Sequence, residues 1–148
     1  MDPNRPIREI MTTDLITISP DTPTDKISTI FSRHSFHHLP VVEKGDKLIG
    51  MVSKQDILKI ELLAAGRLSP HENELRNILA KDIMTGQPLS LSPEDSIGLA
   101  ADIFMANQFH ALPILEDDMR LTGLITTHDL LMYCFRSPIP EIRDIDVF

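Results

Sequence analysis

The chain has 148 residues, 42% of them hydrophobic, with a net charge of -8 and a pI near 5.1. That is enough apolar material for one compact domain or two small lobes, and the acidic balance argues against general nucleic-acid binding, which needs a basic face. A single cysteine, Cys134, excludes an intrachain disulfide framework and fits a reducing, cytoplasmic setting; no apolar run nears the roughly 18 residues of a membrane span, and Met1-Asp2-Pro3-Asn4-Arg5 lacks a signal-peptide core.

Residues 6–11 read as a helical turn and 15–18 as a short strand. Ser19-Pro20-Asp21-Thr22-Pro23 then breaks the chain. Thr22 is the expected N-cap of a helix, with Pro23 in its first position and Asp25 three residues on. Ile27, Ile30 and Phe31 follow at helical spacing, so the helix is expected to run to about Ser35. Residues 38–43 form a strand that Pro40 confines to an edge, Lys44-Gly45-Asp46 a turn, and 47–52 a second strand, the two making a hairpin. A helix is expected from Lys54 to about Ala65. Residues 66–70 interrupt it, and 72–81 read as a connecting helix.

Ile83-Met84-Thr85 restarts the pattern. Ser92-Pro93 repeats the break, and Asp95 takes the capping place of Thr22. Ile97, Ala100, Ala101 and Phe104 form the apolar stripe of the next helix. Near the end, Cys134 sits in the apolar run Leu131-Met132-Tyr133-Cys134-Phe135 and reads as a buried small hydrophobe. Pro138 and Pro140 end the last helix, and a loosely held acidic tail follows.

The restart is a repeat. Residues 7–58 align with 80–131 at a constant offset of 73 and without a gap; sixteen of the fifty-two positions are identical, against about three expected from ordinary residue usage. Each unit therefore reads strand, helix, strand, strand, helix. The expected fold is α/β (α+β): two tandem β-α-β-β-α repeats over 7–65 and 80–135, a linker with a connecting helix over 66–79, and a tail over 136–148. Units of about fifty residues bury too little surface to stand alone, so the two are expected to pack face to face with pseudo-two-fold symmetry.

Both units carry one segment whose chemistry stands out: Gly50-Met51-Val52-Ser53-Lys54-Gln55-Asp56 and Gly123-Leu124-Ile125-Thr126-Thr127-His128-Asp129. A hydroxyl followed three residues later by a carboxylate is a capping box, and helix capping alone accounts for it. The same atoms also suit a nucleotide. A helix N-terminus favours an anion, the hydroxyl can donate to a phosphate oxygen, and the carboxylate can accept from two adjacent ribose hydroxyls. The preceding Gly lets another backbone or a flat ring approach closely.

The two-fold repeat, the Met-Thr opening of each unit, the His-x-Leu-Pro-apolar strand of the first unit with its His110-Ala111-Leu112-Pro113 counterpart, and Gly-x-x-Ser/Thr-x-x-Asp before the last helix resemble a tandem cystathionine-beta-synthase (CBS) domain pair, a Bateman module. The resemblance spans residues 7–131. It implies two clefts between the repeats that take adenosine ligands: AMP, ADP or ATP, with S-adenosylmethionine and NAD as further candidates. It also implies crossed sites. One cleft would use Thr126 for phosphate and Asp129 for ribose, with Thr12, Ile16, Phe36 and His37 around the base. The other would use Ser53 and Asp56, with Thr85, Leu89, Phe109 and His110. Many family members carry Arg before the motif Asp, where this chain has Gln55 and His128, and a basic residue two before the strand Pro, where it has His38 and Ala111. Lys54, His38, His128 and Arg33 remain as partners for phosphate. The Thr126/Asp129 cleft, able to recruit His128 and His38, is expected to bind more tightly.

The resemblance further implies a homodimer and a stand-alone regulatory module without catalysis, acting on an unknown partner protein. The alternative is an assembly or protein-interaction module whose clefts are vestigial. His34, His37 and His38 fit no standard zinc spacing, so no metal is expected, and no cofactor beyond the regulatory nucleotide. The hydroxyl and His residues are accounted for by the repeat rather than by a nucleophile and its base.

Overall fold

The structure, a computed structural model, describes residues 2–66 and 77–135. Most of the expected connecting helix over 72–81, most of the break at 66–70 and the tail over 136–148 lie outside these. The elements are a short 3-10 turn (Ile7–Glu9), α1 (Thr24–Arg33), the hairpin β1 (His38–Glu43) and β2 (Lys47–Ser53), and α2 (Lys54–Ala65). After the gap come α3 (Ala80–Ile83), β3 (Thr85–Gly86), α4 (Ile97–Ala106), the hairpin β4 (Ala111–Leu115) and β5 (Leu121–Thr126), and α5 (Thr127–Cys134). The fold is mixed α/β with antiparallel pairs β1–β2, β2–β3 and β4–β5.

The hairpins and α2 form where the apolar runs, the turn at 44–46 and the capping box place them. Both hairpins carry the same irregularity, between Val41 and Val42 and between Ile114 and Leu115. The turn at 44–46 uses left-handed backbone at Gly45 (φ 79°) and Asp46 (φ 59°). The two hairpin tips meet: Lys47 bridges Arg120, its own equivalent at offset 73, so the pseudo-two-fold axis passes between them.

The strand expected over 15–18 is reduced to a single paired residue. Ile18 N–H donates to Pro40 O at 3.0 Å, and Ile18 O accepts from Val42 N–H at 2.9 Å. Extending this parallel pairing to residue 16 would require an N–H from Pro40, which proline lacks. Leu91 repeats the arrangement with Pro113 and Leu115. Ile16 and Leu89 are thereby left outside the sheets, 39% and 52% exposed.

The helix starts also differ from expectation. Thr22 Oγ1 accepts from Ser19 N–H at 3.1 Å, and Asp95 Oδ2 accepts from Ser92 N–H at 2.7 Å. Both close the turn at Ser-Pro rather than cap the helix. The caps are Pro23 and Ser96, with Ser96 Oγ accepting from Leu99 N–H at 3.1 Å, and α1 ends at Arg33 rather than near Ser35. The described end of the connecting helix is broken too, because Leu79 is extended and bridges Pro23.

The largest departure is an exchange of arms. Ile7, fully buried, packs in the second unit's core against Leu91, Phe104, Leu112, Ile114 and Ile125, while Ala80 packs in the first unit's core with Ile18, Ile27, Phe31, Leu39 and Val52. Backbone pairing follows suit: Pro6 bridges Ser96 and Thr12 bridges Leu124, and their equivalents Leu79 and Thr85 pair with Pro23 and Met51. The glycine that opens each repeated segment is needed where the foreign arm crosses. A Cβ at Gly123 would lie 2.7 Å from Met11 Sδ and 3.1 Å from the Thr12 carbonyl; at Gly50 its three nearest neighbours would all be atoms of the Met84 side chain.

A side chain can swing away more readily than a paired backbone carbonyl. Gly123→Ala is therefore expected to cost about 1–3 kcal/mol, more than Gly50→Ala, and Met11→Ala should recover part of that loss. Denaturant midpoints of the three variants check this, and equal midpoints for the two Gly variants would contradict it.

Candidate functional site

Each repeated segment ends a core strand and starts a helix. Val52 and Ile125 are fully buried, which fixes the strands, and the next residue turns the chain into α2 or α5. Ser53 Oγ accepts from Asp56 N–H at 3.2 Å, and Asp56 Oδ2 accepts from Ser53 N–H at 2.9 Å. Thr126 Oγ1 accepts from Asp129 N–H at 3.2 Å; Asp129 Oδ2 accepts from Thr126 N–H at 2.8 Å and from its hydroxyl at 2.9 Å. Lys54 N–H and Thr127 N–H donate to the carbonyls of His37 and His110, at 2.8 and 3.1 Å.

These bonds leave definite groups over. Among the described residues, the first-turn N–H groups of Gln55 and His128 have no partner, and both carboxylates are engaged through Oδ2, with Oδ1 unbonded. The capping box thus uses part of the hydrogen-bonding capacity at each helix start and leaves an amide and a carboxylate oxygen for a ligand.

Two clefts lie beside these helix starts. The larger, of about 720 Å³, is lined on one side by Phe36, His37 and His38 and on the other by Thr126, His128 and Asp129, with Thr12 from the exchanged arm. That brings together every residue expected at this cleft except Ile16. The smaller, of about 230 Å³, is lined by Ser53, Asp56, Thr85, Leu89 and Phe109, every residue expected there except His110. His110 lines the larger cleft instead. His38 and Ser53 line both.

Sequence reasoning missed Ser35, Gln55, Leu124 and Thr127 at the larger cleft and Met51, Pro88, Ala111, Leu112 and Pro113 at the smaller one. Leu124 and Met51 had a signal in the repeat itself, since they adjoin the glycines that admit the foreign arm. Arg33 lines neither cleft. Small-molecule sites are usually about 300–1,000 Å³, so the larger cleft has room for a nucleotide and the smaller one is tight. The asymmetry follows the arms: β3 pairs with β2 over two residues, whereas Thr12 makes one bridge to β5.

Among the described residues, no three His, Cys, Asp or Glu side chains gather as metal ligands. His34 instead stacks on Phe36 with ring centroids 4.9 Å apart, and Phe36 meets Phe31 edge-on at 6.2 Å. Cys134 is exposed, contrary to expectation. It lies on the last turn of α5, where Leu131, Met132 and the C-cap Phe135 are also more than half exposed.

Burial holds the His38 imidazole below its ordinary range; His37 and His110 add to this by repulsion, and Asp56 opposes it. The unfolded chain therefore takes up this proton more readily than the folded one. The resulting stability is present above the unfolded imidazole value near 6.5 and is lost as pH falls from there towards the lowered folded value. His38→Gln should be less sensitive to acid over this range. Denaturant midpoints at pH 7.5 and 5.5 measure it, and parallel losses in the two proteins would contradict it.

Comparison with known families and structures matches the CBS domain twice, over residues 7–62 and 80–136. Protein MJ1225 of Methanocaldococcus jannaschii is 28% identical over 138 residues, which are 90% of this chain and 48% of that protein. Its crystal structure, described as a candidate archaeal homologue of γ-AMPK, superposes with a TM-score of 0.78 at 26% identity, covering 90% and 49% of the two chains. CBSX2 of Arabidopsis thaliana in complex with AMP superposes with a TM-score of 0.77 at 22% identity, over 89% of this chain and 97% of that one. The CBS domain pair of protein MJ0100, in complex with 5-methylthioadenosine and S-adenosyl-L-methionine, gives a TM-score of 0.74 at 20% identity, over 89% and 97%. The chain spans between 22% and 48% of the length of the first curated relatives it matches. No helix among the described residues is long and apolar enough to cross a membrane. With both halves matched and the arms of each half completing the core of the other, the chain belongs to the CBS domain family, as a tandem pair.

Proposed function

We propose that the chain is a regulatory module that binds an adenosine nucleotide in the larger cleft and signals through a change in the packing of the two units. The observation that carries this reading is one cleft of about 720 Å³ that joins Thr126 and Asp129 of one unit to Phe36, His37 and His38 of the other. The unbonded Oδ1 of Asp129 offers an acceptor for ribose, and the unpartnered His128 N–H and the Thr126 hydroxyl adjoin the place for phosphate. The AMP bound to CBSX2 and the adenosyl compounds bound to MJ0100 support adenosine as the common element. A ligand that touches both units shifts their packing by as much as its affinity differs between the two arrangements. In this reading the module binds and does not catalyse, and it works in the cytoplasm on a partner protein.

Thermal melting against AMP, ADP, ATP, NAD and S-adenosylmethionine tests the reading. A ligand at a hundred times its Kd adds about 2.7 kcal/mol, which raises Tm by roughly 5–10 °C for a chain of this size. No shift across the panel would favour the assembly reading. One observation supports an assembly role alongside binding: Leu58 and Leu62 on α2, and their equivalents Leu131 and Phe135 on α5, are 47–73% exposed. A homodimer closing over these faces would cover them, and sedimentation equilibrium reads its mass.

A further inference from the structure

The larger cleft surrounds its occupant with imidazoles. His37 and His38 enter from the segment before β1 and its first residue, His110 from the turn before β4, and His128 from the first turn of α5. Among the described residues, the other charged side chains on its wall are Lys54 at the start of α2 and Asp129 on α5, whose formal charges cancel. Asp56, on the wall of the smaller cleft, acts on His38 from behind. Among the described residues, no arginine lines the larger cleft.

An anion entering this cleft therefore meets a wall of nearly zero formal charge when the imidazoles are neutral and a strongly positive one when they are protonated. Free imidazole changes state near pH 6.5, within reach of cellular pH. His37 and His110 lie close enough to His38 to repel a proton on it, and His128 lines the same cleft. A negative group placed among them reverses that repulsion and draws protons in.

We propose that the larger cleft takes up the anionic end of its ligand together with protons on His37, His110 and His128, so that occupancy depends jointly on nucleotide and on pH. The proposal rests on the larger cleft being the nucleotide site. By linkage, each imidazole that gains a proton on binding makes log Kd rise with pH, by up to one unit per pH unit. The second ionisation of a phosphate monoester lies near pH 6 and works in the opposite direction, so the informative interval is pH 8.0 to 6.5.

The test is calorimetric titration of the chain with AMP and with adenosine at both pH values, each in two buffers of different ionisation enthalpy. AMP is expected to bind about fivefold or more tightly at pH 6.5 than at 8.0, with heats that depend on the buffer because protons are taken up. Adenosine, which has no phosphate, should show neither effect. In the His110→Asn/His128→Asn double variant, which keeps His37, AMP binding should take up fewer protons and vary less with pH than in the unaltered chain. AMP binding with the same Kd at both pH values, or with no proton uptake, overturns the proposal and leaves the nucleotide site standing. Failure of both ligands to bind at either pH overturns the site and the proposal together.

Discussion

Asp129→Ala should weaken AMP binding by at least about tenfold, and Asp56→Ala should weaken it much less. A hydrogen bond to a charged acceptor contributes about 1.5–3 kcal/mol, and 1.4 kcal/mol is a factor of ten in Kd. Both carboxylates hold their own helix starts through Oδ2, so both variants lose a similar cap, about 0.5–2 kcal/mol of stability. Only Asp129 borders the larger cleft. The difference in binding between the two variants therefore isolates the ligand role from the capping role. Asp129→Asn, which keeps an acceptor for the Thr126 N–H, should hold the fold and still lose affinity. Equal losses for the two alanine variants, or a larger loss for Asp56→Ala, would contradict the assignment of the larger cleft.

Ile7→Ala should be the most destabilising of the variants considered, by about 2–5 kcal/mol. Ile7 is fully buried among Leu91, Phe104, Leu112, Ile114 and Ile125, and removing its side chain leaves a cavity in a core to which it does not belong in sequence. The location of the damage is as informative as its size. Hydrogen exchange should quicken at Ile114 and Ile125 before it quickens at Val41 and Val52 in the first unit's core. Exchange that quickens first in the first unit would contradict the crossing of the arms.

That crossing marks the limit of what the sequence made legible. The hairpins and α2 could be read from residues near one another: short apolar runs, a turn at Gly45, and a hydroxyl three residues before Asp. The offset of 73 then carried the first unit's layout to the second. Where an element depends on a distant partner, local reading erred. Leu15–Ile16–Thr17–Ile18 has the composition of a strand, but Pro40 withholds the N–H that pairing beyond Ile18 would need. Thr22 and Asp95 have capping chemistry, but the Ser-Pro turn next to them takes it first. Cys134 lies in an apolar run, yet it is exposed together with Leu131, Met132 and Phe135. His110 mirrors His37 in sequence, yet both line one cleft, because equivalent residues near a two-fold axis can face the same space.

The same geometry explains why two helix starts alike in sequence are unlike as sites. Ser53–Asp56 and Thr126–Asp129 are locally interchangeable, and their capping bonds agree within 0.1 Å. The space beside them differs about threefold, 230 against 720 Å³.

The most direct measurement is a crystal structure of the chain grown with AMP at a concentration well above its Kd. The account predicts density for one nucleotide in the larger cleft, with ribose oxygens within hydrogen-bond distance of the Asp129 carboxylate and the phosphate beside Thr126 and the imidazoles. An empty larger cleft at saturation, or a nucleotide seated away from Asp129, would contradict it.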